Sequence, residues 1–455
     1  MINIIFFLTK KLFLFEYYSI GDNMLSFINK IVWLIATISI VISSLYFSMK
    51  LKFLQLKVKT IFSCLVSKTK TDEIKPFNVL MITLAGRIGV GSIAGIALCI
   101  YIGGIGSIFW LWIMTFFSAI LAYVETVLGG VYKEKDGKFY KGGPSYYLKN
   151  GLGKKKLGGI YAILIIISYI GGFLSIQTNT ITKSLNQIIN INPYFIGIII
   201  VIITSFIIFG GLTKISDATS KIVPVMGVFY LLITIYIIIN NISSIPNIFL
   251  SIVSEAFNFK SFYSGFLTSF AVGIQRGIFS NEAGLGTGSI ASSISDINPV
   301  KQGYIQVLGV YITSLIICTS TAFIILTSNY LQPVFNDLNG IEITGYAFSY
   351  HLGKLGDIFI FISILLFSFS TILTGYYYGE SSLKYFFSTI KSKYLYSLKV
   401  FTLIILFLGC ILSSNLLWKI VDILVALLAI INIYAMFNLR NTVFNETNYS
   451  KYDKM

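Results

Sequence analysis

Histidine is almost missing from this 455-residue chain, which has His351 and no other. Its four cysteines, Cys64, Cys99, Cys318 and Cys410, stand singly with no CxxC spacing. A zinc set or a secreted disulfide framework therefore lacks the residues it needs. An enzyme built on a metal, or on a nucleophile with a histidine base, has little to be made from either. The expectation is a protein that is not an enzyme and needs no cofactor. Charge is scarce too, at 11% of residues, and of 34 basic residues only three are arginine.

What is abundant is apolar sequence. Hydrophobic residues make up 56% of the chain and the mean hydropathy is +0.83, far from the balance of a soluble domain. The net charge of +16 does not point to nucleic acid, because the lysines lie in short loops between apolar runs. There they set orientation and meet anionic lipid. The fold class predicted is an all-α polytopic membrane protein.

Apolar runs of about 20 residues predict eleven spans, at 27–49, 78–100, 107–131, 158–184, 194–212, 221–240, 262–293, 303–327, 355–379, 396–413 and 416–437. Residues 1–23 read as an N-terminal extension, because Ile4 to Phe15 is too short to span. The loops at 50–75, 132–156 and 380–399 are rich in lysine, whereas those at 101–106 and 331–350 have none. By the positive-inside rule the lysine-rich loops are cytoplasmic, which puts the N-terminus outside and the C-terminus in the cytoplasm. The expected location is the bacterial cell (inner) membrane.

Two of the three arginines fall in glycine-rich interruptions, Gly86-Arg87-Ile88-Gly89-Val90-Gly91-Ser92 and Gly273-Ile274-Gln275-Arg276-Gly277. A glycine-rich break frees carbonyls and N–H groups that must face protein, water or a solute inside the bilayer. Two breaks in corresponding positions are the sequence sign of a midplane site in a transporter. The broken spans are the second and the seventh, so the chain divides into a leading helix and basic loop (24–77), two five-helix repeats of inverted topology (78–240 and 241–437) and a tail (438–455). The plainer alternative is that the glycines only let helices pack closely.

The runs Gly86 to Gly95, Gly103 to Trp112, Gly142 to Tyr147, Arg276 to Gly286 and Thr371 to Glu380 resemble the alanine/glycine:cation symporter family. The resemblance covers about residues 27 to 437, and Ser280-Asn-Glu-Ala-Gly-Leu-Gly286 is its most specific stretch. It implies a LeuT-type 5+5 inverted repeat with two discontinuous helices, and sodium-coupled uptake of a small neutral amino acid. A proton-driven or exchanging carrier on the same fold is the alternative, and an ion channel a more distant one. The expected partners are the amino acid, sodium ion and membrane lipid.

An amino-acid zwitterion needs N–H groups at a half-helix N-terminus for its carboxylate, and carbonyls or neutral side-chain oxygens for its ammonium. The breaks offer Ile88, Val90, Gly91 and Ser92, and Gly273, Gln275 and Gly277. Gln177 and Thr371 match the family's polar pocket residues; interhelical hydrogen bonding is their plainer reading. The resemblance places sodium among the carbonyls of Ala85, Ile88 and Val310 and the hydroxyls of Thr313 and Ser314. Thr313 stands where the family has an aspartate, which puts the coupling ion in question. Ser92 replaces an asparagine, Ala122 replaces a lysine, and Gly375 replaces a tryptophan. The last change predicts an opened pocket and a longer neutral side chain, such as glutamine. Arg87 and Arg276 are expected to brace the breaks, Glu282 to pair with an arginine at an inner gate, and Glu125 either to gate or to reach interfacial water. Lys419 and Asp422, at i and i+3, are expected to form a surface pair.

Overall fold

The computed structural model describes residues 2–66, 75–258, 262–328, 340–387 and 390–450. Parts of three predicted loops, at 67–74, 329–339 and 388–389, lie outside the described residues, as do the side chains of the expected extension 1–23. Among the described residues, eight helices are long and apolar enough to cross a membrane: Met24–Lys50, Ser107–Val131, Lys155–Asn186, Gly211–Asn240, Pro299–Thr327, Lys354–Phe386, Ser392–Gly409 and Leu416–Asn438. The pair Pro76–Arg87 and Val90–Gly103, bent by 41° at its break, makes a ninth.

The other two predicted spans are helical but interrupted. Pro193–Ile208 has 16 residues, about 24 Å of helix at 1.5 Å per residue. It starts at Pro193 behind the Asn192 cap, whose side chain accepts from the Tyr194 N–H at 3.0 Å, and the chain turns after it at Gly211 (φ 73°). The seventh span is broken, with Thr268–Asn281 and the short helix Thr287–Ser292 on either side of the gap.

That gap is not where the glycines predicted it. Residues 273–277 run inside a continuous helix, and the chain unwinds at 282–286, where Glu282, Gly284 and Gly286 have φ of 55°, 85° and 92°. Gly273 and Gly277 instead form a small-residue stripe against the helix Ser107–Val131. A Cβ on Gly273 would lie 2.8 Å from the Trp110 Cβ and 3.2 Å from the Leu111 nitrogen, while one on Gly277 would meet nothing closer than 3.4 Å.

The spans 107–131, 155–186, 299–327 and 354–386 are the most buried, and they enclose both broken helices. The leading helix lies outside them against the last span, with the Trp33 indole donating to the Asp422 carbonyl at 2.9 Å and Tyr46 beside Phe437. The lysine-rich side also carries a short antiparallel hairpin, Glu134–Asp136 with Phe139–Lys141. It turns at Gly137 (φ 66°), an Asp-Gly hairpin signal that the all-α reading passed over. The Tyr140 N–H donates to the Ile294 carbonyl at 3.2 Å, and Lys384 reaches Asp136 at 3.0 Å.

The contrast between the two packed glycines is testable. Gly273→Ala should destabilise the protein by about 1–3 kcal/mol through overpacking, and Gly277→Ala should be nearly neutral. Thermal unfolding of the two purified variants in detergent measures this; equal effects would contradict the packing described.

Candidate substrate and cation site

At the first break the helix ends at Arg87, and Gly89 takes an extended conformation (φ −138°) before the chain restarts at Val90. Two side chains from different spans converge here. The Gln177 amide oxygen accepts from the Val90 N–H at 3.2 Å. The Thr371 hydroxyl donates within range of the Ala85 carbonyl (2.8 Å) and the Ile88 carbonyl (3.4 Å). A Cβ on Gly89 would stand 3.2 Å from both amide heteroatoms of Gln177, so glycine is what lets that amide reach the backbone. On the other flank the Ser280 hydroxyl donates to the Gly91 carbonyl at 2.9 Å, and the Thr321 hydroxyl to the Ser92 carbonyl at 2.9 Å. Ser92 is fully buried, with its hydroxyl 3.4 Å from the Arg87 carbonyl. All of these side chains are neutral oxygen and nitrogen groups, the lining a zwitterion can exchange hydrogen bonds with in a low-dielectric site.

Spans 155–186 and 354–386 run antiparallel past the break, and their contacts form a ladder. Gln177 and Thr371 make its first rung. One turn nearer the lysine-rich side, Leu174 faces Gly375, with its Cδ1 2.6 Å from where a Cβ would be. The space predicted to open at Gly375 is therefore filled by Leu174, with Tyr169 behind it at 3.6 Å. That corrects the expectation of a widened pocket. The sequence could not show it, because the residue taking up the space is 201 positions away.

The five positions expected around sodium divide into two groups. Ala85 and Ile88 are brought together beneath the Thr371 hydroxyl. Thr313 turns its hydroxyl back to the Gly309 carbonyl at 2.9 Å, and Ser314 accepts from the Asn281 amide at 3.1 Å. Val310, one turn before Ser314, is buried on the helix that packs against Pro76–Arg87. Thr313 and Ser314 lie in a π-helical stretch, Ile312–Cys318, a type of distortion frequent at functional sites. Tyr169 and Phe173 lie in a second one, Ile166–Phe173.

Glu125 is not at the interface. It is fully buried, and one of its oxygens accepts from the Gly286 N–H at 2.9 Å and from the Asn432 amide at 3.1 Å. Asn432 also donates to the Gly284 carbonyl at 2.9 Å, and the Tyr161 hydroxyl donates to the Leu285 carbonyl. The third-span carboxylate thus holds the second break. Among the described residues Glu282 makes no ion pair: its carboxylate accepts from the Tyr169 hydroxyl at 2.6 Å and the Thr287 hydroxyl at 2.8 Å. Arg87 donates not to its own break but to the Gln306 carbonyl on the eighth span, at 3.2 Å.

Arg276 has a different task. Its guanidinium makes a two-pronged pair with Asp422, at 3.1 and 2.9 Å, with both side chains buried. Asp422 is therefore not the surface partner of Lys419. The guanidinium also lies 5.1 Å from the Trp418 ring and 5.7 Å from the Phe279 ring. Gln275, Arg276, Trp418, Lys419 and Asp422 line a cavity of about 390 Å³ on the lysine-poor side. Beneath it, Phe279 packs on Gly91 and stacks on Phe173, which stacks on Tyr169. Phe279 thus sits against both Arg276 and the first break, whereas Phe173 and Tyr169 lie one and two turns nearer the lysine-rich side than Gln177. Phe279, Trp418 and Asn432 were not singled out in the sequence, and Asp422 was read there only as a surface partner of Lys419.

Removing one member of a buried pair leaves the other charge stranded, which costs about 3–5 kcal/mol. Arg276→Ala and Asp422→Ala should each lower the unfolding midpoint, and the double variant should lose less than the sum. Additive losses in a double-mutant cycle would show that the two side chains do not interact.

Residues 18–455 match the family model described as the sodium:alanine symporter family. The chain is 36% identical to a probable sodium/glutamine symporter of Bacillus subtilis (strain 168), over 93% of this chain and 89% of that protein. It is 33% identical to an amino-acid carrier protein of the same organism, covering 94% and 91%. A sodium/alanine symporter of Methanococcus maripaludis is 32% identical, covering 93% and 96%. With a broken helix bracketed by neutral side chains at its centre, and a match spanning nearly its whole length, the chain belongs to the sodium:alanine symporter family of membrane transporters.

Proposed function

We propose that this protein is a sodium-coupled symporter that imports a small neutral amino acid by alternating access, on a LeuT-type 5+5 inverted repeat. The observation that carries this reading is the convergence of Gln177 and Thr371 on the backbone of the first break. These two residues hold the N–H and carbonyl groups that a zwitterion would take over. Their spans are the fourth and ninth and the broken helices the second and seventh, so both pairs are related by a shift of five. The proposed orientation has the lysine-rich loops and the hairpin in the cytoplasm and the N-terminus outside, in the bacterial cell membrane.

The substrate proposed is of the alanine type, because Leu174 fills the space beside Gly375. Glutamine is the second reading, favoured by the relative at 36% identity, a probable sodium/glutamine symporter. Sodium is the proposed driver, with the Ala85 and Ile88 carbonyls on one side and Thr313 and Ser314 on the other as its oxygens. One sodium ion moving down 100 mV supplies about 2.3 kcal/mol, enough to concentrate a neutral solute roughly fifty-fold.

The direct test is uptake of labelled L- and D-amino acids into proteoliposomes with and without an inward sodium gradient. Stereoselective accumulation of L-alanine that requires sodium is expected, and uptake indifferent to sodium would refute the coupling. Leu174→Ala should shift competition toward larger neutral amino acids such as glutamine, by about ten-fold for the two to three methylenes of space released. An unchanged preference would place the specificity wall elsewhere.

A further inference from the structure

Arg87, Glu125 and Glu282 are buried together between the two breaks, at 2%, 0% and 1% exposure. Their electrostatic neighbours include one another: Arg87 feels Glu125 most and Glu282 less, and Glu125 feels Glu282. With all three ionised the group carries one net negative charge out of water, which is far costlier than any hydrogen bond it makes can offset. One positive charge is needed to balance it.

The donors around each carboxylate show where that charge goes. The hydrogen bonds to Glu125 come from N–H donors, the Gly286 N–H and the Asn432 amide nitrogen, both on one oxygen, with the Arg87 guanidinium near the other. Arg87 Nη2 and Glu125 Oε1 lie 2.7 and 3.0 Å from where a Gly288 Cβ would be. Neither atom has a hydrogen-bond partner among the described residues. These donors and the nearby guanidinium favour the carboxylate form, which makes Glu125 the counter-charge of Arg87. Glu282 is bonded to two hydroxyls, Tyr169 on one oxygen and Thr287 on the other. A hydroxyl accepts as readily as it donates, so a protonated Glu282 can donate to the Thr287 oxygen while its other oxygen accepts from Tyr169. The titratable groups facing Glu282 from the packed elements are Tyr169 and Tyr161 of the fourth span, Tyr378 of the ninth, Arg87 of the second and Glu125 of the third.

We propose that Glu282 is a proton-binding site, protonated in this conformation, that links proton uptake and release to movement of the second break. Its backbone supports the assignment. Glu282 is the residue at which the helix stops, held in the left-handed region at φ 55°, a strained conformation for a non-glycine residue of the kind found at switch points. The Tyr169 ring that holds its carboxyl stacks on Phe173 and Phe173 on Phe279, which packs on Gly91 of the first break and beside Trp418, a residue lining the cavity on the lysine-poor side. A change at the second break is thereby passed to the first. Sodium does not fit the same place, since the guanidinium repels a second cation and two carboxyl oxygens with two hydroxyls fall short of five or six ligands. In this conformation, raising the pH draws the proton off and leaves the buried negative charge unbalanced, so this arrangement is most stable below the ordinary carboxyl range and weakens progressively as the pH rises.

The test needs no transport activity, so its failure is distinct from failure of the symporter reading. Infrared spectra of the purified protein at neutral pH should show the carbonyl stretch of a protonated carboxylic acid that is missing in Glu282→Gln. Glu282→Gln preserves both hydroxyl contacts in neutral form and should unfold near the wild-type temperature, without the wild type's loss of stability as the pH rises. Glu125→Gln strands the Arg87 charge and should unfold well below it. Absence of the acid band from the wild type, its survival in Glu282→Gln, or a Glu282→Gln variant as unstable as Glu125→Gln would each overturn the proposal.

Discussion

An interrupted helix inside a bilayer has nowhere to send its freed backbone groups except to other side chains, and both interruptions here are organised around that need. An unsatisfied N–H or carbonyl in hydrocarbon costs several kcal/mol, so each break is surrounded by polar side chains contributed from distant spans. At the first, Gln177 and Thr371 answer the Val90 N–H and the carbonyls of Ala85 and Ile88. At the second, Glu125 and Asn432 answer the Gly286 N–H and the Gly284 carbonyl, and Tyr161 answers Leu285. Gln177, Tyr161, Thr371 and Glu125 come from three of the four most buried spans, and Asn432 from the last span.

The two breaks differ in the charge that serves them. The first is bracketed by neutral amide and hydroxyl groups, which can trade a backbone partner for a ligand without moving a charge through the membrane. The second is served by carboxylates, with a guanidinium close by, so rearranging it moves a charge or a proton. A neutral zwitterion suits the former and an ion-driven conformational step suits the latter. An aromatic run, Tyr169, Phe173, Phe279 and Trp418, links them, from the Glu282 carboxyl past Gly91 of the first break to the Arg276–Asp422 pair beside the cavity on the lysine-poor side.

Much of the framework was legible in the chain. The apolar runs are helical over most of their length, nine of them as candidate spans if the bent pair is taken as one, while the helices Ile245–Ala256 and Ile341–Leu352 lay outside them; the Gly86–Ser92 break is where composition placed it, because a glycine-dense stretch between apolar runs is a local signal. Gln177 and Thr371 were named from the resemblance and do meet at that break. The second break was misplaced because Gly273 and Gly277 serve packing against the 107–131 helix, and a glycine needed for a close approach is indistinguishable in sequence from one needed for a turn. The true break contains Gly284 and Gly286, which lay unused within the Ser280–Gly286 motif.

The sequence by itself determined that this is a many-span membrane protein with a broken helix, and placed the chain in its family, since hydropathy, lysine distribution and short motifs are properties of neighbouring residues. Only the tertiary structure decided which polar groups meet. Glu125 looked interfacial and proved to be buried at the second break; Asp422 looked like a surface partner of Lys419 and proved to hold Arg276; Gly375 looked like open space and proved to be covered by Leu174. In each case the partner lies more than 140 residues away in the chain. A charge or a void acquires its meaning from what packs against it, and that depends on how the spans are arranged around one another.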